Sequence, residues 1–162
     1  MPSILVVCTA NQCRSPMAAA LLRRRLADSP HREGWRVTSA GTWVQPQAPA
    51  ASLMQRVAQE WGIDLRGHQA QEVGEPLLAD QDLVVVMERG QKEALAIEFP
   101  WVAPRLYLLS ELAGPAYDVA DPIDQAFDDY RATAQELDDL IGRGLTRIID
   151  LATHRPDLKI GR

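Results

Sequence analysis

Cys8 and Arg14 bracket the segment Thr9-Ala10-Asn11-Gln12-Cys13, directly after the apolar run Ile4-Leu5-Val6-Val7 and directly before Ser15-Pro16. A short, β-branched-rich apolar run reads as a strand covered on both faces. Ser15 reads as a helix N-cap and Pro16 as the first helical residue, where a missing N–H costs nothing. A tight strand-to-helix loop turns its backbone N–H groups toward one point and, with the helix dipole, favours an anion there. Thr9, Ala10, Asn11, Gln12, Cys13 and Arg14 are therefore candidate phosphate ligands. Cys8, at the base of this nest, is the candidate nucleophile, because helix N-termini and nearby cations stabilise a reactive thiolate. Arg14 supplies the cation, and its planar fork can grip two non-bridging oxygens at once. The electrophile implied is phosphoryl, or a tetrahedral mimic such as arsenate. Either residue alone would read as ordinary, a buried cysteine ending a strand and a surface arginine. Their spacing across this junction is what points to chemistry. Neither a G-x-x-x-x-G-K-[ST] loop nor a G-x-G-x-x-G turn is present to suggest a nucleotide instead.

Phosphoryl transfer also needs a proton for the leaving oxygen, which Cys8 and Arg14 cannot give. Asp121 precedes Pro122, which holds it extended after the connection 114–120. It reads equally well as a general acid or as the N-cap of a last helix. A loop that surrounds an anion must turn back on itself. Cys8 and Cys13 can then approach the Cα separation of roughly 4.4–6.8 Å that a disulfide requires. The two are a candidate redox pair in which Cys13 captures oxidised Cys8, the alternative for Cys13 being packing beneath the loop. Asn11 is a residue type that tolerates the left-handed backbone such a loop demands. His68 reads as a buried structural imidazole, because no other His or Cys sits at ligand spacing. No metal and no cofactor is expected.

The run Val7-Cys8-Thr9-Ala10-Asn11-Gln12-Cys13-Arg14-Ser15-Pro16-Met17-Ala18 resembles the signature of the low-molecular-weight protein tyrosine phosphatases, in their bacterial form. Ser39-Ala40-Gly41-Thr42, Gly62-Ile63-Asp64 leading to His68, a strand ending at Met87, and Asp121-Pro122 follow in that family's order, so the resemblance spans nearly the whole chain. It implies a phosphocysteine formed at Cys8 with Arg14 on the phosphate. It assigns Asp121 as the acid toward the leaving oxygen and then the base toward the hydrolytic water. It implies that Ser15, Ser39 and His68 support Asn11 by hydrogen bonds, Ser15 lying also near the sulfur. The implied substrate is a phosphotyrosine-bearing protein or a small phosphomonoester, with Trp43 and Ile123 walling the site mouth. The chain departs from the pattern at Ala10, where glycine is usual, at Ala19, where glutamate is common, and in 43–50, which lacks the usual glycine. Ile123-Asp124 stands where an aromatic residue often follows Asp-Pro. An aliphatic wall beside a negative charge weakens the grip on a flat phenol ring. Tyr117 and Tyr130 read as packing residues.

The elements that must position these groups alternate between strand-like and helix-like patterning, the mark of an α/β fold with a parallel sheet. Strands are expected at 4–7, 35–39, 83–87 and 105–108, and helices at 15–27, 51–61, 90–97 and 127–152, the last bent near Gly142 and Gly144. Pro46, Pro49, Pro76, Pro100, Pro104, Pro115 and Pro122 are expected in connections or at element boundaries. The resemblance adds a doubly wound, four-stranded sheet with helices on both faces. The site then lies at the carboxyl end of the first strand.

At 162 residues the chain is expected to form a single phosphatase domain over 1–162. Its apolar runs are strand-sized, so a cytoplasmic protein without a membrane partner is expected. Two cysteines in one loop make neither a disulfide framework nor a four-ligand zinc site. The net charge of −5 disfavours nucleic acid as a partner. Residues 1–50 carry six Arg against two acids, a positive end expected to coincide with the anion site, with Arg23-Arg24-Arg25 as a solvated helix face. Two rival functions are weighed. Arsenate reduction on the same fold relays a disulfide through later cysteines, and none follows Cys13. A phosphate-binding module without turnover would have no need of Cys8 and Asp121.

Overall fold

The computed structural model describes residues 1–31 and 34–154. Strand β1 (Ser3–Cys8) leads through the Cys8–Arg14 loop into helix α1 (Arg14–Ala27), followed by β2 (Arg36–Gly41) and α2 (Ser52–Glu60). Then come α3 (Glu75–Ala79), β3 (Leu83–Val86), α4 (Arg89–Glu98) and a 3₁₀ helix at Pro100–Arg105. The order closes with β4 (Leu106–Leu108), α5 (Leu109–Ala113) and the long α6 (Phe127–Thr153). The strands form one parallel sheet of order β2-β1-β3-β4. The two central strands are buried along their whole length, whereas β2 and β4 at the edges each expose part of theirs. This difference is why the central strands read as continuous apolar runs.

Alternate residues of β1 feed two cores. Ile4, Val6 and Cys8 face α1, α2, α5 and α6 through Met17, Leu21, Leu26, Val57, Leu112 and Leu137. Leu5 and Val7 face Leu78 of α3, Leu95 of α4 and Val102 of the 3₁₀ helix. Each such fully buried aliphatic side chain contributes about 1.5–3 kcal/mol, so the sheet is held from both sides. The order reverses between β1 and β3, and the loops leaving those two strands diverge there. An open α/β sheet binds ligands in such a crevice.

The structure departs from the sequence expectations in several places. Helix α1 starts at Arg14 with Cys13 at its N-cap, so Ser15 is not the cap and Pro16 is the third helical residue. Pro16 is still free of cost, because the first intrahelical N–H to find a partner is that of Met17. Pro76 is the second residue of α3 and Pro104 lies inside the 3₁₀ helix. Helices α3, α5 and the 3₁₀ segment are too short to show a helical period. Helix α6 runs unbroken through both glycines. Gly144 serves close packing instead: a Cβ there would lie 3.0 Å from the Leu112 carbonyl oxygen. The arginine run lies on an exposed helix face, as expected, but its head groups are engaged there. Arg23 donates to the Val37 carbonyl, Arg24 to that of Trp61, and Arg25 pairs with Asp138 at 2.9 Å.

The start of α6 is clamped to α2. The guanidinium groups of Arg56 and Arg131 each lie 4.4 Å from the centroid of the Phe127 ring. Arg131 also makes paired hydrogen bonds to Glu60, at 2.9 and 2.6 Å. Each cation–π contact adds about 0.5–1 kcal/mol at such exposed positions. Together they fix the far end of the loop that carries Asp121.

Candidate active site

The Cys8–Arg14 loop owes its shape to where its carbonyls go. The oxygens of Cys8, Thr9, Asn11 and Gln12 accept from Thr42 N–H (3.0 Å), Trp43 N–H (3.0 Å), His68 Nε2–H (2.7 Å) and Ala51 N–H (2.9 Å), and that of Cys13 accepts from Met17 N–H (3.3 Å). Peptides here are trans, and a trans peptide directs its N–H opposite to its C=O. The N–H groups of Thr9, Ala10, Gln12, Cys13 and Arg14 therefore point away from these partners, toward the inner side of the loop. Gly41 makes the close approach between β2 and the loop: a Cβ there would lie 2.4 Å from the Thr9 carbonyl oxygen and 3.0 Å from Asn11 N. Any side chain at that position would push the loop off its support.

Asn11 is the keystone of the loop. It is fully buried with φ of 57°. Its Nδ2 donates to Ser15 Oγ (2.8 Å) and Ser39 Oγ (2.9 Å), while its Oδ1 accepts from the Gln71 N–H (3.0 Å). His68 donates to its carbonyl, which requires the Nε2–H tautomer. Burial holds the His68 pKa below the ordinary histidine value, with Arg23 adding to the effect and the Asn11 carbonyl opposing it, so the ring stays neutral. The structure thus gathers Ser15, Ser39 and His68 around Asn11, and adds Gln71, for which the sequence carried no signal.

Cys8 Sγ lies 3.0 Å from Ser15 Oγ. Because Asn11 already donates to that hydroxyl oxygen, the Ser15 proton has two acceptors in reach, the sulfur and the more distant Ala40 carbonyl (3.4 Å), and turned to the sulfur it can stabilise a thiolate. Cys13 is buried beneath the loop and free of any disulfide. Burial pushes its thiol up to about 12. Asp121 and Cys8 push the same way, while Arg14 and the Tyr130 hydroxyl oppose them.

Arg14 is the largest fully buried side chain, 1% exposed. Its Nη1 donates to the Val119 carbonyl (2.8 Å) and lies 3.2 Å from Glu88 Oε2, and its Nη2 meets Asp121 Oδ2 at 3.3 Å. Its Nε has no hydrogen-bond partner among the described residues. Asp121 is a third exposed and also accepts from the Ile123 N–H at 3.1 Å, which aims its carboxylate back at Arg14. It does not cap α6, whose N-cap is Ala126. Among the described residues the arginines of the positive end do not gather at the site. Arg14 is the cation there, two carboxylates pair with it, and Arg23, Arg24, Arg25 and Arg36 are engaged elsewhere.

Trp43 is anchored beside the loop by its backbone N–H on the Thr9 carbonyl and is 82% exposed; Ile123 is 41% exposed next to Asp124. Tyr130 is buried, whereas Tyr117 is partly exposed and donates to Glu136 (2.7 Å), so it is not a simple packing residue. Glu88 escaped sequence reasoning. Its only signal was a carboxylate directly after the strand that neighbours β1. Among the described residues no group of three or more His, Cys, Asp or Glu is gathered as a metal site.

Comparison with known proteins agrees with this geometry. The model of the low molecular weight phosphotyrosine protein phosphatases matches residues 3–150. A probable low molecular weight protein-tyrosine-phosphatase of Ralstonia nicotianae is 38% identical over 74% of this chain and 77% of its own. A protein-arginine-phosphatase of Geobacillus stearothermophilus is 33% identical over 86% of this chain and 91% of its own. A solved arginine phosphatase variant carrying a phosphorylated active-site serine superposes with a TM-score of 0.81 at 32% identity, covering 96% of this chain and 99% of that one.

Proposed function

The chain belongs to the low molecular weight phosphotyrosine protein phosphatase family and is a cysteine-dependent phosphatase, and from this premise we propose that it hydrolyses phosphotyrosine through Cys8, Arg14 and Asp121. The observation that carries the assignment of residues is the buried Arg14, held at the end of a loop in which the carbonyls of Cys8, Thr9, Asn11, Gln12 and Cys13 are bonded outward and whose base is Cys8. The Cys8 thiolate attacks phosphorus, forming the S–P bond as the P–O bond to the tyrosine breaks. Protonated Asp121 gives its proton to the departing oxygen. Water then attacks the phosphocysteine, Asp121 takes its proton, and the sulfur leaves as thiolate. For the first step Asp121 must exchange Arg14 for the leaving oxygen, and the phosphoryl oxygens take its place on Nη2. The loop N–H groups and Arg14 stabilise the equatorial charge. The whole of 1–162 is read as one phosphatase domain, which the match over 3–150 and the single sheet support; residues 155–162 lie outside the described residues. A cytoplasmic setting belongs to the same reading, because a reactive thiol needs reducing surroundings. No helix among the described residues is long and apolar enough to cross a membrane.

A second reading of the substrate is phosphoarginine. Two relatives of comparable identity are named protein-arginine-phosphatases, and Ile123-Asp124 offers an aliphatic surface and a negative charge suited to a guanidinium group. Hydrolysis of p-nitrophenyl phosphate should persist in EDTA, be inhibited by phosphate and vanadate, and be followed by higher kcat/KM on phosphotyrosine peptides than on phosphoarginine peptides. The reverse preference would transfer the assignment to phosphoarginine. Activity that vanished with EDTA and returned with a divalent metal would overturn the mechanism.

Cys13 is proposed as the thiol that captures a Cys8 sulfenic acid, expelling water as the disulfide closes. Its raised pKa makes the reactive thiolate scarce near neutrality, about tenfold less so for each pH unit upward. Disulfide formation after peroxide treatment should therefore accelerate with pH, and Cys13→Ser should regain less activity in dithiothreitol than the wild type. Equal recovery and no Cys8–Cys13 cross-link by mass spectrometry would leave Cys13 a packing residue.

A further inference from the structure

Gln91, in the first turn of α4, is 5% exposed, and its side-chain amide makes four hydrogen bonds. Its Oε1 accepts from the backbone N–H groups of Met87 and Glu88, each at 3.0 Å. Its Nε2 donates to Thr9 Oγ1 (3.0 Å) and to Glu88 Oε2 (2.9 Å). That same Glu88 oxygen lies 3.2 Å from Arg14 Nη1. A primary amide has two donor protons and two acceptor lone pairs, so its capacity is filled. Capping of α4 accounts for the Oε1 bonds. It does not account for the Nε2 bonds, which reach a different loop and an ionised side chain.

We propose that Gln91 is a positioning residue for phosphoryl transfer: its Nε2–H groups hold Thr9 and the Glu88 carboxylate, and through Glu88 they hold the plane of the Arg14 guanidinium. This rests on reading Arg14 as the group that grips the phosphoryl oxygens. A planar fork matches two oxygens only when its plane is fixed. The contact of Arg14 with Asp121 is the one the mechanism opens, so Glu88 and the Val119 carbonyl remain to hold the guanidinium during the reaction. Glu88 is a third exposed and would swing on its own flexible stem without a second tether.

Gln91→Glu separates the two roles. The new side chain keeps an oxygen for the Met87 and Glu88 N–H groups but sets a second carboxylate oxygen against Glu88 where a donor stood. Two carboxylates in hydrogen-bond contact resist double ionisation, so one of them binds its proton more tightly. With that proton present, the new carboxyl donates to Glu88 as the amide does. Without it, repulsion drives Glu88 off Arg14. Arg14 from α1 pairs with Glu88 and, through its other terminal nitrogen, with Asp121 of the loop before α6; Asp118 of that loop, paired with Arg89 of α4, lines the cavity beside Glu88 and Gln91, and all four are retained in the variant. Thr9, Glu88, Gln91 and Asp118 line one cavity of ≈ 380 Å³, through which protons can exchange.

The measurement is kcat/KM for p-nitrophenyl phosphate across pH, with inorganic phosphate inhibition and thermal unfolding alongside. Gln91→Glu should approach wild-type kcat/KM at the acidic end and fall roughly 10- to 100-fold below it as pH rises, the scale of a misplaced positioning group. Phosphate inhibition should weaken over the same range. Gln91→Met, which keeps the shape and loses every hydrogen bond, should be slower at all pH values without the new limb. A Gln91→Glu profile parallel to wild type, or a uniform loss tracking a lower unfolding temperature, would reduce Gln91 to a helix cap and overturn the proposal. If the wild type itself shows no turnover, it is the reading of Arg14 that fails.

Discussion

Cys8→Ser is expected to lose turnover of p-nitrophenyl phosphate by on the order of 10⁴-fold or more, the scale seen when a covalent catalyst loses its nucleophile. A serine hydroxyl fits the space of the thiol but stays protonated at neutral pH. Ser15 Oγ, 3.0 Å from the sulfur, can stabilise a thiolate yet is no base to take the proton of an alcohol. Anion binding should survive the substitution, because the loop N–H groups and Arg14 are untouched, so inorganic phosphate should bind the variant about as well as the wild type by calorimetry. Acid-quenched wild type should carry a phosphocysteine at position 8, and the variant should form none. Retention of more than a small fraction of the activity by Cys8→Ser would place the nucleophile elsewhere.

Asp121→Asn is expected to cost roughly 10²–10⁴-fold in kcat on substrates with poor leaving groups, the usual worth of a general acid. Its cost should be much smaller on p-nitrophenyl phosphate, whose leaving oxygen needs little protonation. The amide can still accept from the Ile123 N–H, so the turn after Asp121 is preserved. It cannot pair as an ion with Arg14, and that loss is shared by every substrate. The contrast between phenyl and nitrophenyl esters therefore isolates the proton. An equal drop on both would mean that Asp121 only orients Arg14.

How far the sequence can be read depends on the distance along the chain over which each determinant acts. The strand, the loop and the helix from Ser3 to Ala27 were legible because apolar run length, the Cys-to-Arg spacing and Ser-Pro are local signals. The four strands and the long α6 were legible for the same reason, since period and length survive without knowledge of neighbours. Helices α3 and α5 span five residues each, too few to display a 3.6-residue period.

Ser15 shows where local reasoning fails. A serine before proline is a natural N-cap, but its hydroxyl is claimed by Cys8 and Asn11, and the cap moves to Cys13. The arginine-rich first third fails similarly: carbonyls of Val37 and Trp61 and the carboxylate of Asp138 decide where those charges point, and no spacing encodes them. By itself the sequence determined the α/β class, the strand-to-helix loop with a thiol and a guanidinium at its two ends, and a carboxylate followed by proline. Only the tertiary structure decided that Glu88 and Asp121 flank Arg14 and that Gln91 reaches Thr9 across 82 positions of chain. The physical reason is that a parallel sheet brings the ends of β1 and β3 side by side, while the intervening residues set only the connection and carry no record of which side chains will meet.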